Sequence, residues 1–359
     1  MDALINEILN PVLPNPDNFP MRLRLPVIEI SSRGSLGKTQ LLYYICAVST
    51  LPIRLKGKDS AVVVIDCPCK FDVKRLYVVM RGYAIKQQSF NNQKPLTDRQ
   101  LHKTILGALT HVHIFQPKNS GQLLATIKNI KPYLYGETEH KHLSGRKKVD
   151  CIMIDGISRF IWEDRFHDYG AVMVDEDHPD WINLWGRYEE ITNELRAVAI
   201  SLCCFIVITN IGFNLRYDPD KAPVLYTPGD KLTQYRPAKV TAWHRYYEPW
   251  RLDLPTRPPS FTRPYLTHVL PQPWTPFVNV KLVLQRAKDS VPRFPKGTSM
   301  LWAIKNRESH LAAVNNGGIV GFADPIGLGG GLQRSVQAVN NGTGNFYLYI
   351  RKTEVDVTT

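Results

Sequence analysis

One stretch of the chain has the residue types and spacing of a loop that binds phosphate. From Ser32 onward it matches the pattern Gly-x-x-x-x-Gly-Lys-Ser/Thr at every defined position except the first, where serine replaces glycine. Gly37 lets the backbone approach a phosphate closely, Lys38 offers a positive charge, and Thr39 offers a hydroxyl to Mg²⁺. The alternative is an ordinary surface turn with a solvated lysine. We predict that the nucleotide-binding loop comprises Ser32, Arg33, Gly34, Ser35, Leu36, Gly37, Lys38 and Thr39.

A magnesium ion in such a site requires an acidic side chain at the end of a buried strand. The apolar run Cys151–Ile154 is followed at once by Asp155. Carboxylate and hydroxyl oxygens are ligands that suit Mg²⁺. We therefore predict that Thr39 and Asp155 hold the metal; the alternative is that Asp155 only caps a turn.

The sequence offers no clear residue to activate a water molecule. Hydrolysis of a triphosphate needs a side chain that orients or deprotonates the attacking water. The acids nearest the end of the second predicted strand are Asp66 and Asp72, and the fifth predicted strand ends at Asn210. No catalytic residue is therefore assigned.

The elements that must position these residues follow an α/β pattern. Short apolar runs alternate with stretches of helical spacing, which favours a mainly parallel central sheet flanked by helices. The predicted strands are Val27–Ile30, Ala61–Ile65, His111–Phe115, Cys151–Ile154 and Phe205–Thr209. The predicted helices are Thr39–Leu51, Asp72–Tyr83, Ser120–Leu134 and Trp181–Leu202.

Composition divides the chain into four parts. Residues 1–23 form an N-terminal arm with a brief helix predicted at 2–9, and residues 24–213 form the core. Residues 214–276 are an insertion rich in proline, aromatic and basic side chains. Residues 277–359 supply late C-terminal strands and a tail that complete the core. These late strands are predicted at Phe277–Gln285, Gly318–Ala323 and Phe346–Ile350.

The insertion interleaves cations with aromatic rings. Cations follow a nucleic-acid backbone and aromatic rings stack on bases, so the mixture suits single-stranded DNA. The candidates are Arg236, Lys239, Trp243, Arg245, Tyr246 and Tyr247. The alternative is that the segment packs on its own domain or docks on a partner. A second segment, Phe166–Asp180, is predicted to be an acidic loop that repels DNA phosphates.

Composition limits the possible classes of protein. With 359 residues and 43% hydrophobic residues, the chain can bury a large core, which excludes global disorder. No apolar run reaches the roughly 18 residues of a membrane span, so no membrane association is expected. The net charge of +13 permits a polyanionic partner. The six cysteines contain no CxxC pair, which favours buried free thiols over a zinc site or a disulfide framework.

In their order and spacing, four sequence motifs of this chain resemble those of the ATPase core of the RecA-type recombinases. These motifs are the Gly37-Lys38-Thr39 loop, Ile65-Asp66, Ile154-Asp155 and Val207–Asn210. Finer strings resemble the short eukaryotic recombinase paralogs named for X-ray repair cross-complementation. Those strings are Phe71-Asp72, Arg75-Leu76, Phe160–Arg165, Arg263–Leu266 and Trp274. The resemblance covers residues 24–213 well and 260–290 loosely.

The resemblance implies a RecA-like P-loop core that binds ATP and Mg²⁺. Recombinases proper carry a glutamate general base two positions after the aspartate of the second strand, where this chain has Pro68. They carry a sensor glutamine after Thr-Asn, where this chain has Ile211. Only 31 residues precede Ser32, which leaves no room for the N-terminal helical domain of the recombinases. These departures favour an accessory subunit with weak or no ATP hydrolysis.

The family further implies nuclear localisation and a role in homologous-recombination repair of double-strand breaks. The expected partners are other recombinase paralogs, the main recombinase, and single-stranded or branched DNA reached through the complex. The N-terminal arm could supply a docking helix through Leu4, Ile5, Ile8 and Leu9, or pack on its own domain. Two other hypotheses remain open: a self-sufficient DNA-dependent ATPase of the RecA type, and an unrelated P-loop kinase or transferase.

Overall fold

In the computed structural model, the described residues include the predicted core and several strands that follow it. The description covers 27–32, 34–90, 95–136, 147–174, 184–214, 266–268, 270, 272–286, 319–325, 345–350 and 355–358. The N-terminal arm with its predicted helix, Arg33 and the six DNA-binding candidates lie outside it. All statements below concern the described residues.

Six strands of the central sheet run parallel to one another in the described part of the chain. Their order across the sheet differs from their order along the chain. The order is β3 (Val112–Phe115), β2 (Ala61–Asp66), β4 (Val149–Asp155), β5 (Phe205–Asn214), β1 (Val27–Ser32) and β7 (Val280–Arg286). The predicted α/β class with a mainly parallel sheet is therefore confirmed.

Three further strands extend the sheet beyond β7 in antiparallel order. They are β8 (Ile319–Pro325), β9 (Asn345–Ile350) and β10 (Val355–Thr358). Two of them correspond to predicted C-terminal strands, whereas β10 was not predicted. A short strand, β6 (Leu266–His268), pairs antiparallel with Gly212–Asn214 of β5.

Helices cover both faces of the sheet and bury two apolar layers. The helices are α1 (Lys38–Thr50), α2 (Val73–Phe90), α3 (Asp98–Leu109), α4 (Ser120–Tyr135), α5 (Ile161–Val174) and α6 (Leu184–Leu202). The core under α1, α2 and α3 contains Val62 and Val64 of β2, and the core under α4 and α6 contains Val63 and Ile65. Consecutive strand residues point to opposite faces, so a strand covered on both sides must be apolar throughout. This burial on both faces explains the continuous apolar runs from which the strands were predicted.

Two helices differ from the prediction. The segment Phe166–Asp180 was expected to be an acidic loop, but its first part belongs to α5, which continues to Val174. Helix α3 was not predicted. It begins with a capping box, in which Thr97 and Gln100 each bond to the backbone of the other, a signal present in the sequence.

The cysteines confirm the prediction in part. All six are free, and Cys46, Cys67, Cys151 and Cys204 are buried. Cys69 and Cys203 are exposed, contrary to the expectation that all six thiols are buried. Both exposed cysteines have a left-handed backbone conformation, with φ of 54° and 50°, and follow the ends of β2 and α6 respectively. Among the described helices, none is long and apolar enough to cross a membrane.

Candidate functional site

The predicted loop lies between the carboxyl end of β1 and the first turn of α1. Gly34 and Gly37 have φ of 60° and 78°, the left-handed region in which glycine is favoured because it lacks a Cβ. The first helical hydrogen bond runs from the Leu41 N–H to the Gly37 carbonyl at 3.0 Å. The N–H groups of the first helical turn have no partner within the helix, so they are available to an anion bound at the N-terminal end of α1.

Lys38 folds back over the loop. Its Nζ donates to Ser32 Oγ at 2.6 Å and to the Gly34 carbonyl at 2.8 Å. Burial lowers the pKa of Lys38 because it removes water from the ammonium group, and the negative charge of Asp155 partly opposes this shift. The lysine charge is therefore held at the loop and lies within the electrostatic field of Asp155.

Asp155 lies at the carboxyl end of β4, where two threonine hydroxyls bond to its carboxylate. Thr39 Oγ1 donates to Oδ2 at 2.8 Å, and Thr209 Oγ1 donates to Oδ1 at 2.5 Å. Burial is the main cause that raises the pKa of Asp155; the two threonine hydrogen bonds oppose it, and the charge of Asp66 adds to it. The two predicted metal ligands, 116 positions apart in the chain, are thus brought into direct contact.

Thr209 is a site residue that the sequence analysis missed. Its hydroxyl accepts from the Gly156 N–H at 2.7 Å while it donates to Asp155. The side chain therefore links the ends of β4 and β5. The available signal was a hydroxyl residue at the carboxyl end of a buried strand, next to a strand that ends in an acid.

Asn210 follows Thr209 and is fully buried. Neither its side-chain oxygen nor its nitrogen has a hydrogen-bond partner. The residue pairs in register with Ser31 of β1, so it lies at the same edge of the sheet as the loop. Buried polar groups without partners cost stability.

The two acids considered for activating water are both used by the local backbone. Asp66 is fully buried and accepts from the Lys70 N–H at 3.1 Å, the Phe71 N–H at 2.8 Å and Gln116 Nε2 at 3.0 Å. Asp72 accepts from the Lys74 N–H at 2.8 Å, close to the start of α2. Both carboxylates therefore stabilise the segment that joins β2 to α2.

Pro68 lies against the turn that follows Asp155. A Cβ at Gly156 would come within 3.1 Å of Pro68 Cδ, and Gly156 has φ of 67°. Position 68 is therefore beside the candidate site, and its side chain has no group that could accept a proton. Ile211, at the other position where the resemblance implies a polar residue, is 44% exposed.

The donor set fits a magnesium ion that also binds phosphate. Thr39 and Asp155 supply a hydroxyl and a carboxylate, both hard oxygen ligands. Among the described residues, no group of three or more His, Cys, Asp or Glu side chains could hold a metal ion. Mg²⁺ commonly binds through one or two protein oxygens together with substrate phosphates. Thr39 and Asp155 would therefore hold Mg²⁺ only together with a bound nucleotide.

No model of a protein family matches the chain, and no curated protein matches it.

Proposed function

We propose that this chain is an ATP-binding recombinase paralog with a RecA-like P-loop core. It acts in homologous-recombination repair of double-strand breaks as a subunit of a heteromeric complex that assists the main recombinase. The observation that carries the nucleotide-binding part of the proposal is the convergence of Lys38, Thr39 and Asp155 at one edge of a parallel sheet. Ligands of such sheets bind outside the carboxyl ends of the strands. The assignment to recombinase paralogs rests on the resemblance of the sequence motifs to that family.

Each site residue has a defined task in this proposal. The backbone N–H groups at the start of α1 and the ammonium group of Lys38 bind the phosphates. Thr39 and Asp155 orient Mg²⁺, which neutralises phosphate charge when it is bound. Thr209 fixes the Asp155 carboxylate through the hydrogen bond to Oδ1. The hydrogen bonds of Asp155 to Thr39 and Thr209 both serve these tasks.

The same site supports weak or absent hydrolysis. The Asp66 carboxylate already accepts hydrogen bonds from two backbone N–H groups and one side-chain amide. Pro68 and Ile211 occupy the two positions where the resemblance implies a general base and a sensor. Neither Pro68 nor Ile211 can deprotonate or orient water, so these two positions supply none of the about 10²- to 10⁴-fold that general-base catalysis typically contributes.

The proposed partners are other recombinase paralogs, the main recombinase, and single-stranded or branched DNA. The net charge of +13 and the mixed basic and aromatic segment around Trp243 support contact with a polyanion. Nuclear localisation follows from the proposed role in repair.

The central test measures binding and turnover of MgATP by the full chain. We expect micromolar or tighter binding by wild type, with turnover close to background with or without single-stranded DNA. Lys38→Ala should reduce the affinity at least tenfold because it removes a charge beside the phosphates. Lys103→Ala, which changes an exposed lysine on α3, is the matched control and should bind like wild type.

Two results would contradict the proposal in different ways. Brisk DNA-stimulated turnover that Lys38→Ala abolishes would favour the self-sufficient DNA-dependent ATPase. Failure of the folded wild-type chain to bind MgATP, alone or with partner paralogs, would remove the nucleotide site itself. Co-purification with recombinase-like subunits from cells tests the proposed complex separately.

A further inference from the structure

Ser32, the residue that departs from the loop pattern, makes two hydrogen bonds within the loop. Its side chain is fully buried at the end of β1. Its hydroxyl accepts from Lys38 Nζ at 2.6 Å and donates to the Gly34 carbonyl at 3.1 Å. A glycine at this position could make neither bond.

These bonds reduce the number of lysine protons available to a ligand. An ammonium group has three N–H donors. Lys38 directs one at Ser32 Oγ and one at the Gly34 carbonyl, which leaves a single N–H for phosphate. If position 32 were glycine, two N–H groups would be free to contact oxygens of two successive phosphates.

The Ser32–Lys38 bond persists more readily than an exposed bond would. The Ser32 hydroxyl is removed from water, so water cannot replace the lysine as its donor. The same hydroxyl is oriented by its own bond to the Gly34 carbonyl, which also accepts from Lys38. The Ser32 hydroxyl, the Lys38 ammonium group and the Gly34 carbonyl are therefore joined pairwise by three hydrogen bonds.

We propose that Ser32 is a specificity-determining residue that restricts Lys38 to one phosphate contact, so that the site binds nucleoside di- and triphosphates with similar affinity. This inference rests on the proposed nucleotide-binding function and specifies the ligand class of the same site. A site that does not distinguish the two nucleotides retains its ligand whether or not the terminal phosphate is present. Such behaviour suits a nucleotide that stabilises a subunit.

The experiment measures the dissociation constants of MgATP and MgADP by titration calorimetry on the full chain. For wild type, we expect the two constants to agree within about threefold. Ser32→Gly and Ser32→Ala should each favour MgATP over MgADP by about a further tenfold, which corresponds to about 1.4 kcal/mol. Ser32→Thr keeps the hydroxyl and should keep the wild-type ratio.

Controls separate specificity from folding. Ser201→Gly makes the same change in the last turn of α6, which precedes β5 and lies at the opposite edge of the sheet, and should leave both constants unchanged. The thermal transition of each variant shows whether it is folded. A ratio that stays the same in Ser32→Gly and Ser32→Ala would overturn the inference while leaving nucleotide binding intact. If folded wild type bound neither nucleotide, the proposed function would fail, and this inference with it.

Discussion

The Asp155 carboxylate is buried at a cost in stability that its hydrogen bonds partly offset. Its carboxylate is 3% exposed and lies beside the buried acid Asp66 at the ends of adjacent strands. Burial and the nearby negative charge both disfavour the ionised form. Two threonine hydroxyls offset this cost, since hydrogen bonds to a charged group are stronger than those between neutral groups. The arrangement favours an added cation, which would compensate the buried charge.

Thr209→Val should destabilise the chain by about 1–3 kcal/mol. Valine has nearly the same shape, but it leaves the Gly156 N–H without its acceptor and Asp155 Oδ1 without its donor. The free energy of unfolding in urea measures the loss. In the proposed function the same change also weakens MgATP binding, because the carboxylate loses its fixed orientation.

Thr126→Val is the matched control for this prediction. Its hydroxyl donates to the Gln122 carbonyl one turn earlier in α4, at the surface of the helix. Surface changes of this kind usually alter stability by no more than about 0.5 kcal/mol. If Thr209→Val cost no more than this control, Thr209 would not be the link between the ends of β4 and β5 that we describe.

At the scale of elements, one buried carboxylate joins three helices. Asp164 lies in the first turn of α5, accepts from Ser120 Oγ of α4 at 2.7 Å, and accepts from Arg187 Nη1 of α6 at 3.2 Å. The side chain is 5% exposed, whereas that of Arg187 is 34% exposed. Because α5 directly follows the turn after Asp155, this contact fixes the helix that leaves the candidate site. The helical packing on this face therefore depends partly on polar contacts.

Asp164→Asn should remove a pH dependence of stability. Burial raises the pKa of Asp164 above its usual value of 3.8, although Ser120 and Arg187 oppose the shift. The folded state therefore holds this proton more tightly than the unfolded chain, so wild type gains stability as pH falls through the raised pKa toward 3.8. The asparagine variant has no such proton.

Urea unfolding of wild type and Asp164→Asn at intervals between pH 7 and pH 4 checks this sign. The free energy of unfolding of wild type, relative to that of the variant, should increase as the pH falls. Other acids titrate in both proteins and largely cancel in the difference. A difference that stayed constant, or that moved toward the variant at low pH, would show that Asp164 is not destabilised by burial.

For the molecule as a whole, β1 lies between β5 and the C-terminal strand β7 and joins the two parts of the sheet. Glu29 of β1 is 1% exposed, accepts from Trp274 Nε1 at 3.0 Å, and lies 3.5 Å from Lys281 Nζ of β7. It also accepts a hydrogen bond from Ser31, the residue before Ser32. Trp274 itself is fully buried and packs against Phe277. Lys281 comes 252 positions after Glu29 in the chain, so this buried acid joins two distant segments.

Trp274→Phe should cost about 1–3 kcal/mol because it removes the indole N–H that donates to the buried Glu29 carboxylate. Trp162→Phe is the matched control; that ring is 58% exposed and lies under the Arg165 guanidinium, at 5.0 Å. We expect the control to change stability by at most about 0.5 kcal/mol. Equal losses in the two variants, measured by urea unfolding, would show that the Trp274 bond to Glu29 does not join the two halves.

The sequence predicted the parts of the molecule whose signals are local. The strands around Val63 and Ile206 were found because a sheet buried on both faces requires uninterrupted apolar runs. The loop at Gly37 and the acid at Asp155 were found because each follows such a strand. The extent of α5 was missed, because Asp168, Asp175 and Glu176 make the sequence after Arg165 read equally well as a polar loop. Whether residues 236–247 bind DNA remains a prediction, because they lie outside the described part of the structure.

The sequence by itself determined the class of fold and the position of the glycine-containing loop between β1 and α1, since hydrophobic period and glycine placement act over a few neighbouring residues. Only the tertiary structure decided that Thr209 bonds to Asp155, that Ser32 bonds to Lys38, and that Glu29 meets Trp274. Such contacts depend on strand order and on the direction of each side chain. The sequence shows neither of these, because both are fixed only when parallel strands bring distant residues to the same edge of the sheet.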